Sequence, residues 1–383
     1  MAMNRNPRPT FLEFFAGGGM ARIGLGGGWT CAFANDFDPI KAATYRANFG
    51  ADEGHLQQGD VFALSAETLP AADLAWASSP CQDFSLAGAR AGLAGGKSSA
   101  FFGFWTLMKA MSAEGRAPPV IVIENVVGLL TSHHGDDFNA LCGALSQEGY
   151  RFGALEIDAA AFVPQSRPRI FVVATRLPTA GLEGASGFHS RAIREAAARL
   201  PEDLRAHWIW WGVPAPPARN TDLAAMLEPD TAVTWNSPER TEALLALMAS
   251  VHRQAVEARI QAGGRSVGAV FRRMRGGQQR AEVRFDGLAG CLRTPRGGSS
   301  RQTLLVIDEG QVRSRLLTPR EGARLMGLPD SYRLPTSQTG GLQVVGDGVA
   351  VPAVRWLAET LLEPLVYSKL QASPPNDLLT AAG

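Results

Sequence analysis

Between Thr10 and Thr175 the chain repeats one pattern, and that pattern limits the fold more than any other feature of the sequence. Apolar runs of strand length alternate with helical segments. "PTFLEFFAG" reads as a buried strand closing on glycines, "MARIGLG" opens a helix, "TCAFAND" is a second strand and "PIKAATYRANFG" a second helix. "HLQQGDV", "ADLAWASS", "PVIVIEN" and "RIFVVAT" follow as further strands, with "AFFGFWTLMKAMSA" and "DDFNALCGALSQEG" as helices between some of them. Repeated βα units predict the α/β class: an open, mostly parallel sheet covered by helices, with ligands outside the carboxyl ends of its strands. That is where "FFAGGG", "NDFD", "GDV", "SSPCQ" and "IEN" all fall.

At 383 residues and 45% apolar content, the chain can bury a large domain and a smaller one. The alternation covers residues 1–177. Beyond Leu177 it gives way to segments containing Pro and Trp, which predicts a second domain over 178–343, a return to the first over 344–372 and a tail at 373–383. No run of about 18 apolar residues exists to cross a membrane. The start lacks a signal-peptide pattern, and Cys31, Cys81, Cys142 and Cys291 are dispersed without CxxC spacing. A cytoplasmic protein is expected. The net charge of +1 is uninformative, but between Arg265 and Arg301 nine arginines stand against only Glu282 and Asp286. Such a stretch suits phosphate, with a solvated face as the alternative.

The first turn suits a nucleotide-like ligand. Gly17, Gly18 and Gly19 let the backbone turn tightly while the next helix presents free N–H groups. The dinucleotide fingerprint G-x-G-x-x-G fails, because Gly17 and Gly19 are followed by Arg22, so a nicotinamide dehydrogenase is disfavoured. Asp36, ending the second strand, is placed to accept from ribose hydroxyls, Phe37 to lie against adenine and Asp60 to take its exocyclic amine. Two acids and an aromatic around a glycine turn suit an adenosine without pyrophosphate, as in S-adenosylmethionine; ordinary turn glycines and helix-capping aspartates are the bland alternative.

Cys81 sits just past the strand "DLAWASS", on a glycine-rich loop running to about Lys97, and Glu124 with Asn125 ends the apolar strand "VIVIEN". A thiol and an acid together can attack an electron-poor ring: sulfur adds to one carbon while the acid neutralises charge on a ring nitrogen. With a methyl donor alongside, the activated ring becomes a carbon nucleophile.

These residues resemble the cytosine-C5 DNA methyltransferase family, in order, from Phe11 to about Leu362. "FFAGGG" resembles the family's first motif, "NDFD" and "GDV" the next two, "SSPCQDFSLAG" the catalytic loop and "IENV" the strand that supplies the catalytic acid. "QSRPRIFVVA" resembles the Gln-x-Arg-x-Arg motif, "LRTPRGGSSRQ" and "LTPREGARLMGLPDSY" the segment leading out of the target-recognition domain, and "GDGVAVPAVRWLAE" the last motif. The resemblance implies a Rossmann-like S-adenosylmethionine-dependent sheet with a smaller target-recognition domain. It also implies a donor site built from Phe15, Ala16, Gly17, Gly18, Gly19, Asp36, Phe37, Asp60, Val61, Pro80, Asp347 and Val349.

In the family the target cytosine is flipped out of the duplex. The resemblance then gives Cys81 the attack on C6 and Glu124 the contact with N3 and the amino group. Arg167 helps hold cytosine and glutamate, and Arg169 orients this shell. DNA contacts fall to Gln82, Ser85, Lys97, Gln165, Arg272, Arg273, Arg275 and Arg296. The partner is double-stranded DNA, with no metal and no membrane; a monomer is expected, and a cognate restriction endonuclease is the protein partner the reading allows for. His133 and His134 read as loop residues. Three positions depart from the family: Met20 stands where a further glycine is usual, Lys97 where an arginine is common and Asp347 where asparagine is usual. Asp347 is expected near the methionine part of the donor. Cytosine methylation in RNA would use the same thiol chemistry, but about 110 residues between Arg176 and Ala289 exceed what a small structured-RNA site requires. Intact Cys81, Glu124 and Arg167 speak against a non-catalytic DNA-binding regulator.

Overall fold

Seven strands form the sheet that carries most of the chain: β1 (Thr10–Phe14), β2 (Thr30–Asp36), β3 (Leu56–Gln58), β4 (Leu74–Ala77), β5 (Val120–Val126), β6 (Arg151–Asp158) and β7 (Pro168–Thr175). The structure, a computed structural model, describes residues 8–50, 54–79, 100–294 and 301–372. Strand order is β3-β2-β1-β4-β5-β7-β6, so the order reverses between β1 and β4, where an α/β sheet opens a crevice for ligands. The pairs from β3 through β5 are parallel, and β7 runs against both β5 and β6. Residues 159–167, between β6 and β7, are too few for the crossover of a dozen or more residues that a parallel pair requires.

Strand alternation sends neighbours to opposite sides of this sheet. Phe11, Trp76, Val122 and Phe171 enter one core, and Leu12, Phe14, Ala75 and Ile121 enter the other. Helices α1 (Met20–Leu25), α2 (Pro39–Phe49), α3 (Ala100–Ala113) and α4 (Asp136–Gln147) follow the strands as expected. α2 starts where it does because Asp38 accepts from the backbone N–H groups of Ile40 and Lys41, with Pro39 at the first helical position.

β6 is absent from the strands read in the sequence, and so is the way the following segment lies on it. Residues 178–213, read as the start of a second domain, stay on the large sheet. They include α5 (Arg191–Arg199) and α6 (Glu202–Arg205). Phe152 N–H donates to the His207 carbonyl (3.0 Å) and Ile209 N–H to the Phe152 carbonyl (2.7 Å). Trp211 is fully buried and donates its indole N–H to the Val173 carbonyl.

The second sheet is antiparallel, in the order β11-β10-β8-β9, from β8 (Ser266–Arg275), β9 (Gln278–Arg284), β10 (Thr303–Asp308) and β11 (Gln311–Leu316). Its own core gathers Val270, Val283, Leu305 and Ile307 with Leu244 of α7 (Pro238–Ala246) and Val256 of α8 (Ser250–Ala262). α9 (Pro319–Leu325) ties this sheet back to the large one. Its Glu321 completes a capping box with Thr318 and is held by both guanidinium nitrogens of buried Arg315 at 2.6 and 2.8 Å. α10 (Gln338–Asp347), α11 (Val351–Leu357) and α12 (Glu363–Ala372) return to the large domain; a Cβ on Gly24 of α1 would lie 2.4 Å from Val354, so glycine there admits α11. None of the helices among the described residues is long and apolar enough to cross a membrane.

Candidate active site

The glycine turn after β1 is wound tightly: Phe15, Gly17 and Gly19 all have positive φ (57°, 59° and 80°). Gly18 is required because a Cβ there would lie 2.2 Å from the Tyr332 hydroxyl, which donates to the Gly18 carbonyl (2.7 Å). Gly19 is closed off by Phe49, whereas a Cβ at Gly17 would meet nothing within 4 Å. The turn is therefore packed from beneath and open above Gly17. Ala16 N–H donates to the Asn35 carbonyl, and Gly17 N–H to Asp36 Oδ2 (2.7 Å).

Asp36 Oδ1 accepts from Asp38 N–H at 2.8 Å, so each carboxylate oxygen takes one backbone donor and keeps a lone pair. Burial raises the Asp36 pKa, and Lys41 is the main charge that offsets it. Phe37 beside it is 73% exposed, an unusual position for a phenylalanine. Asp60 accepts from Phe62 N–H and starts a short turn in which Val61 is buried. Open backbone at Gly17, spare acceptors on Asp36 and a solvent-facing ring fit an adenosine. Val349 is buried, and the neighbouring Gly348 packs on Met20: a Cβ at Gly348 would lie 2.1 Å from the Met20 sulfur. Met20 thus fills space against the last motif. Asp347 is exposed and pairs with Lys41.

Beneath the turn lies a polar cluster. Buried Glu13 accepts from Arg22 N–H and from the Tyr45 hydroxyl, and the Tyr45 hydroxyl also meets Cys31. Burial pushes the Glu13 carboxyl up to about 8.

On the other side of the reversal point, Glu124 near the end of β5 is buried and pairs with Arg169 Nε at 3.1 Å. Asn125 donates to the carbonyl and hydroxyl of Ser79, fixing the last residue before the Pro80–Cys81 segment to the strand that carries Glu124. Pro80, Cys81, Gln82, Ser85, Lys97 and Arg296 lie outside the described residues.

Two expectations are corrected here. Arg167, assigned to the cytosine and glutamate, does not hold Glu124. Its guanidinium donates to the carbonyls of Leu292 (3.0 Å), Gly346 (3.0 Å) and Gly348 (2.7 Å), joining three chain segments, and Arg169 makes the glutamate contact instead. Gln165, assigned to DNA, is fully buried; its amide donates to the Leu325 carbonyl and accepts from Leu292 N–H, leaving nothing for a nucleic acid.

A cleft of about 900 Å³ separates the two sheets. Ser166, Cys291 and Leu292 line it near the glutamate, and Arg272, Arg273 and Met274 line it from the small sheet. Arg273 and Arg275 share Glu282 at 3.4 and 3.1 Å, and Arg272 has no such carboxylate partner among the described residues. Sequence reasoning missed Lys41 and Cys291. Cys291 lies 3.4 Å from Arg167 and 3.9 Å from Arg169, and nothing in its local sequence signals that proximity. Lys41 could have drawn notice as one of only four lysines. His133 pairs with Asp137 (2.8 Å), and no group of three His, Cys, Asp or Glu among the described residues could hold a metal.

Known proteins resemble this chain over nearly its whole length. Among curated proteins, the type II methyltransferase M.BsuFI of Bacillus subtilis is 27% identical over 370 residues, covering 96% of this chain and 76% of that protein. M.HhaI of Haemophilus parahaemolyticus is 25% identical over 350 residues, covering 91% and 92%. Among solved structures, S. pombe Dnmt2 methyltransferase aligns with a TM-score of 0.59 at 18% identity, covering 94% of this chain and 99% of that one; the Entamoeba histolytica methyltransferase EhMeth gives 0.63 at 13%, covering 95% and 99%. Both share the fold. The profile of the C-5 cytosine-specific DNA methylases matches residues 9–363, nearly the whole chain, and the protein belongs to that family.

Proposed function

We propose that this protein methylates carbon 5 of a cytosine flipped out of a specific duplex DNA sequence. The observation that carries the reading is the buried Glu124–Arg169 pair, which joins the end of β5 to the start of β7 and touches, through Arg169, the cleft-lining Cys291. S-adenosylmethionine supplies the methyl group, held by the Gly17 turn, Asp36, Phe37 and Asp60. Cys81 adds to C6 of the ring, and Glu124, held by Arg169, hydrogen-bonds N3 and the exocyclic amine so that charge developing on the ring is stabilised. After methylation, a base takes the C5 proton, the electrons of that bond re-form the C5–C6 double bond, and the Cys81 thiolate leaves. Arg167 keeps the 291–292 and 346–348 segments in place around this chemistry. The chain from the small sheet forms the target-recognition domain, and a cognate restriction endonuclease is the protein partner proposed.

The test is a transfer assay with purified protein, S-adenosylmethionine and either duplex DNA or transfer RNA, read by mass spectrometry of nucleosides. 5-Methylcytosine in the DNA supports the reading; modification confined to the RNA, or none, contradicts it.

A further inference from the structure

The β8–β9 ribbon leaves the body of the small sheet at Phe271. From Arg272 to Arg280 every residue is exposed, and Ala281 is buried again. The tip is a two-residue turn of Gly276 and Gly277, both at positive φ (54° and 75°), the conformation that matches the twist of a hairpin. Register pairs Arg273 with Arg280, Met274 with Gln279 and Arg275 with Gln278. The projecting part is about 13 Å long at ~3.4 Å per residue. The major groove, about 12 Å wide, admits a two-stranded ribbon.

Pleating gives the ribbon two unlike faces. Arg273, Arg275, Gln278 and Arg280 share one, and their polar groups are engaged. Glu282 takes two of the arginines, and Arg280 donates to the Gln278 side-chain carbonyl (2.7 Å). Arg272, Met274 and Gln279 share the other. Neither Arg272 nor Gln279 has a hydrogen-bond or ion-pair partner among the described residues, and Met274 is 65% exposed. These three line the cleft that also receives Cys291 and Leu292, as do Arg273 and Glu282, whose charges are paired with each other. An uncommitted guanidinium, an uncommitted amide and an exposed thioether match the edges presented in the major groove: guanine O6 and N7, adenine N6 and N7, and the thymine methyl.

We propose that the β8–β9 ribbon reads the bases flanking the target cytosine, with Arg272, Met274 and Gln279 as the specificity-determining face and Arg273, Arg275 and Arg280 as a sequence-independent source of positive charge. The proposal rests on duplex DNA being the substrate. Residues 272–280 of the ribbon are exposed and lie outside the apolar cores, so truncations there leave the fold intact. Gln279→Ala and Met274→Ala are compared with the Arg273→Ala/Arg275→Ala double variant by methylation-aware sequencing of a random-sequence DNA pool and by binding at several salt concentrations. The reading-face variants are expected to lose about tenfold to a hundredfold in preference at one base-pair position, with an unchanged salt slope. The double variant is expected to keep the site while weakening binding to all sequences and flattening the slope. Wild-type site preference in both Gln279→Ala and Met274→Ala overturns the ribbon assignment alone. A wild-type protein that methylates no duplex DNA overturns the substrate reading and the ribbon with it.

Discussion

Lys41 Nζ lies 2.6 Å from Asp347 Oδ2, so the first turn of α2 is joined to the end of α10. Gln343 of the same helix donates to Asp38 at 2.6 Å, and these two contacts fasten the last motif to the loop carrying Asp36 and Phe37. Asp347, expected near the methionine part of the donor, is paired with a lysine whose charge also favours the ionised form of Asp36. Lys41→Ala and Asp347→Ala should each weaken binding of S-adenosylhomocysteine, and the double variant should lose less than the sum. A coupling of about 0.5–1 kcal/mol is expected for a partly exposed pair. Calorimetry checks it, and Lys41→Ala should show the sharper loss as pH falls, because Asp36 without its cation takes a proton at higher pH.

Glu13 makes stability depend on pH. Its folded value of about 8 stands above the ordinary 4.5, so the folded state favours the protonated carboxyl. Stability from this group is fully present below about pH 4.5 and is lost as pH rises towards 8. Glu13→Gln mimics the protonated form and should be the more stable protein at pH 9, by on the order of 3–5 kcal/mol. Denaturant unfolding of both proteins at pH 5, 7 and 9 measures the difference, which should vanish at the acidic end.

Arg167 and Arg169 should fail differently. Arg167→Ala strips three backbone carbonyls of their donor and should destabilise the fold by about 3 kcal/mol or more. Arg169→Ala removes the partner of Glu124 and a single bond to the neighbouring Pro168 carbonyl, so the fold and donor binding should survive while kcat falls about a hundredfold. Thermal melts and single-turnover kinetics separate the two.

β4 and β5 were legible because "LAWA" and "VIVI" are unbroken apolar runs, and α3 occupies the segment read as a helix. β6 escaped because "RFGALEID" spends positions on glycine and small or charged residues. The structure supplies the reason: a Cβ at Gly153 would lie 2.0 Å from the Ile209 carbonyl, so glycine admits a close backbone neighbour from 56 residues onward in the chain, which no local pattern announces. The acid on β5 was legible because a carboxylate ending a buried strand requires a use. The exchange of duties between the two arginines was not. Arg169 lies within β7, but Arg167 precedes it, so strand alternation says nothing of where Arg167 points. Gln165 misled for the same reason, since its burial comes from α9, 160 residues away.

The proposed reaction requires a covalent bond between the Cys81 sulfur and C6 of the flipped cytosine. Duplex DNA carrying 5-fluorocytosine at the methylated position blocks loss of the C5 substituent and should trap the protein. In the presence of S-adenosylmethionine, denaturing gels should show a stable protein–DNA species for the wild type and for Lys41→Ala, and none for Cys81→Ala. A wild-type protein that methylates the unmodified site yet forms no such species, or a Cys81→Ala variant that still forms it, would contradict the mechanism.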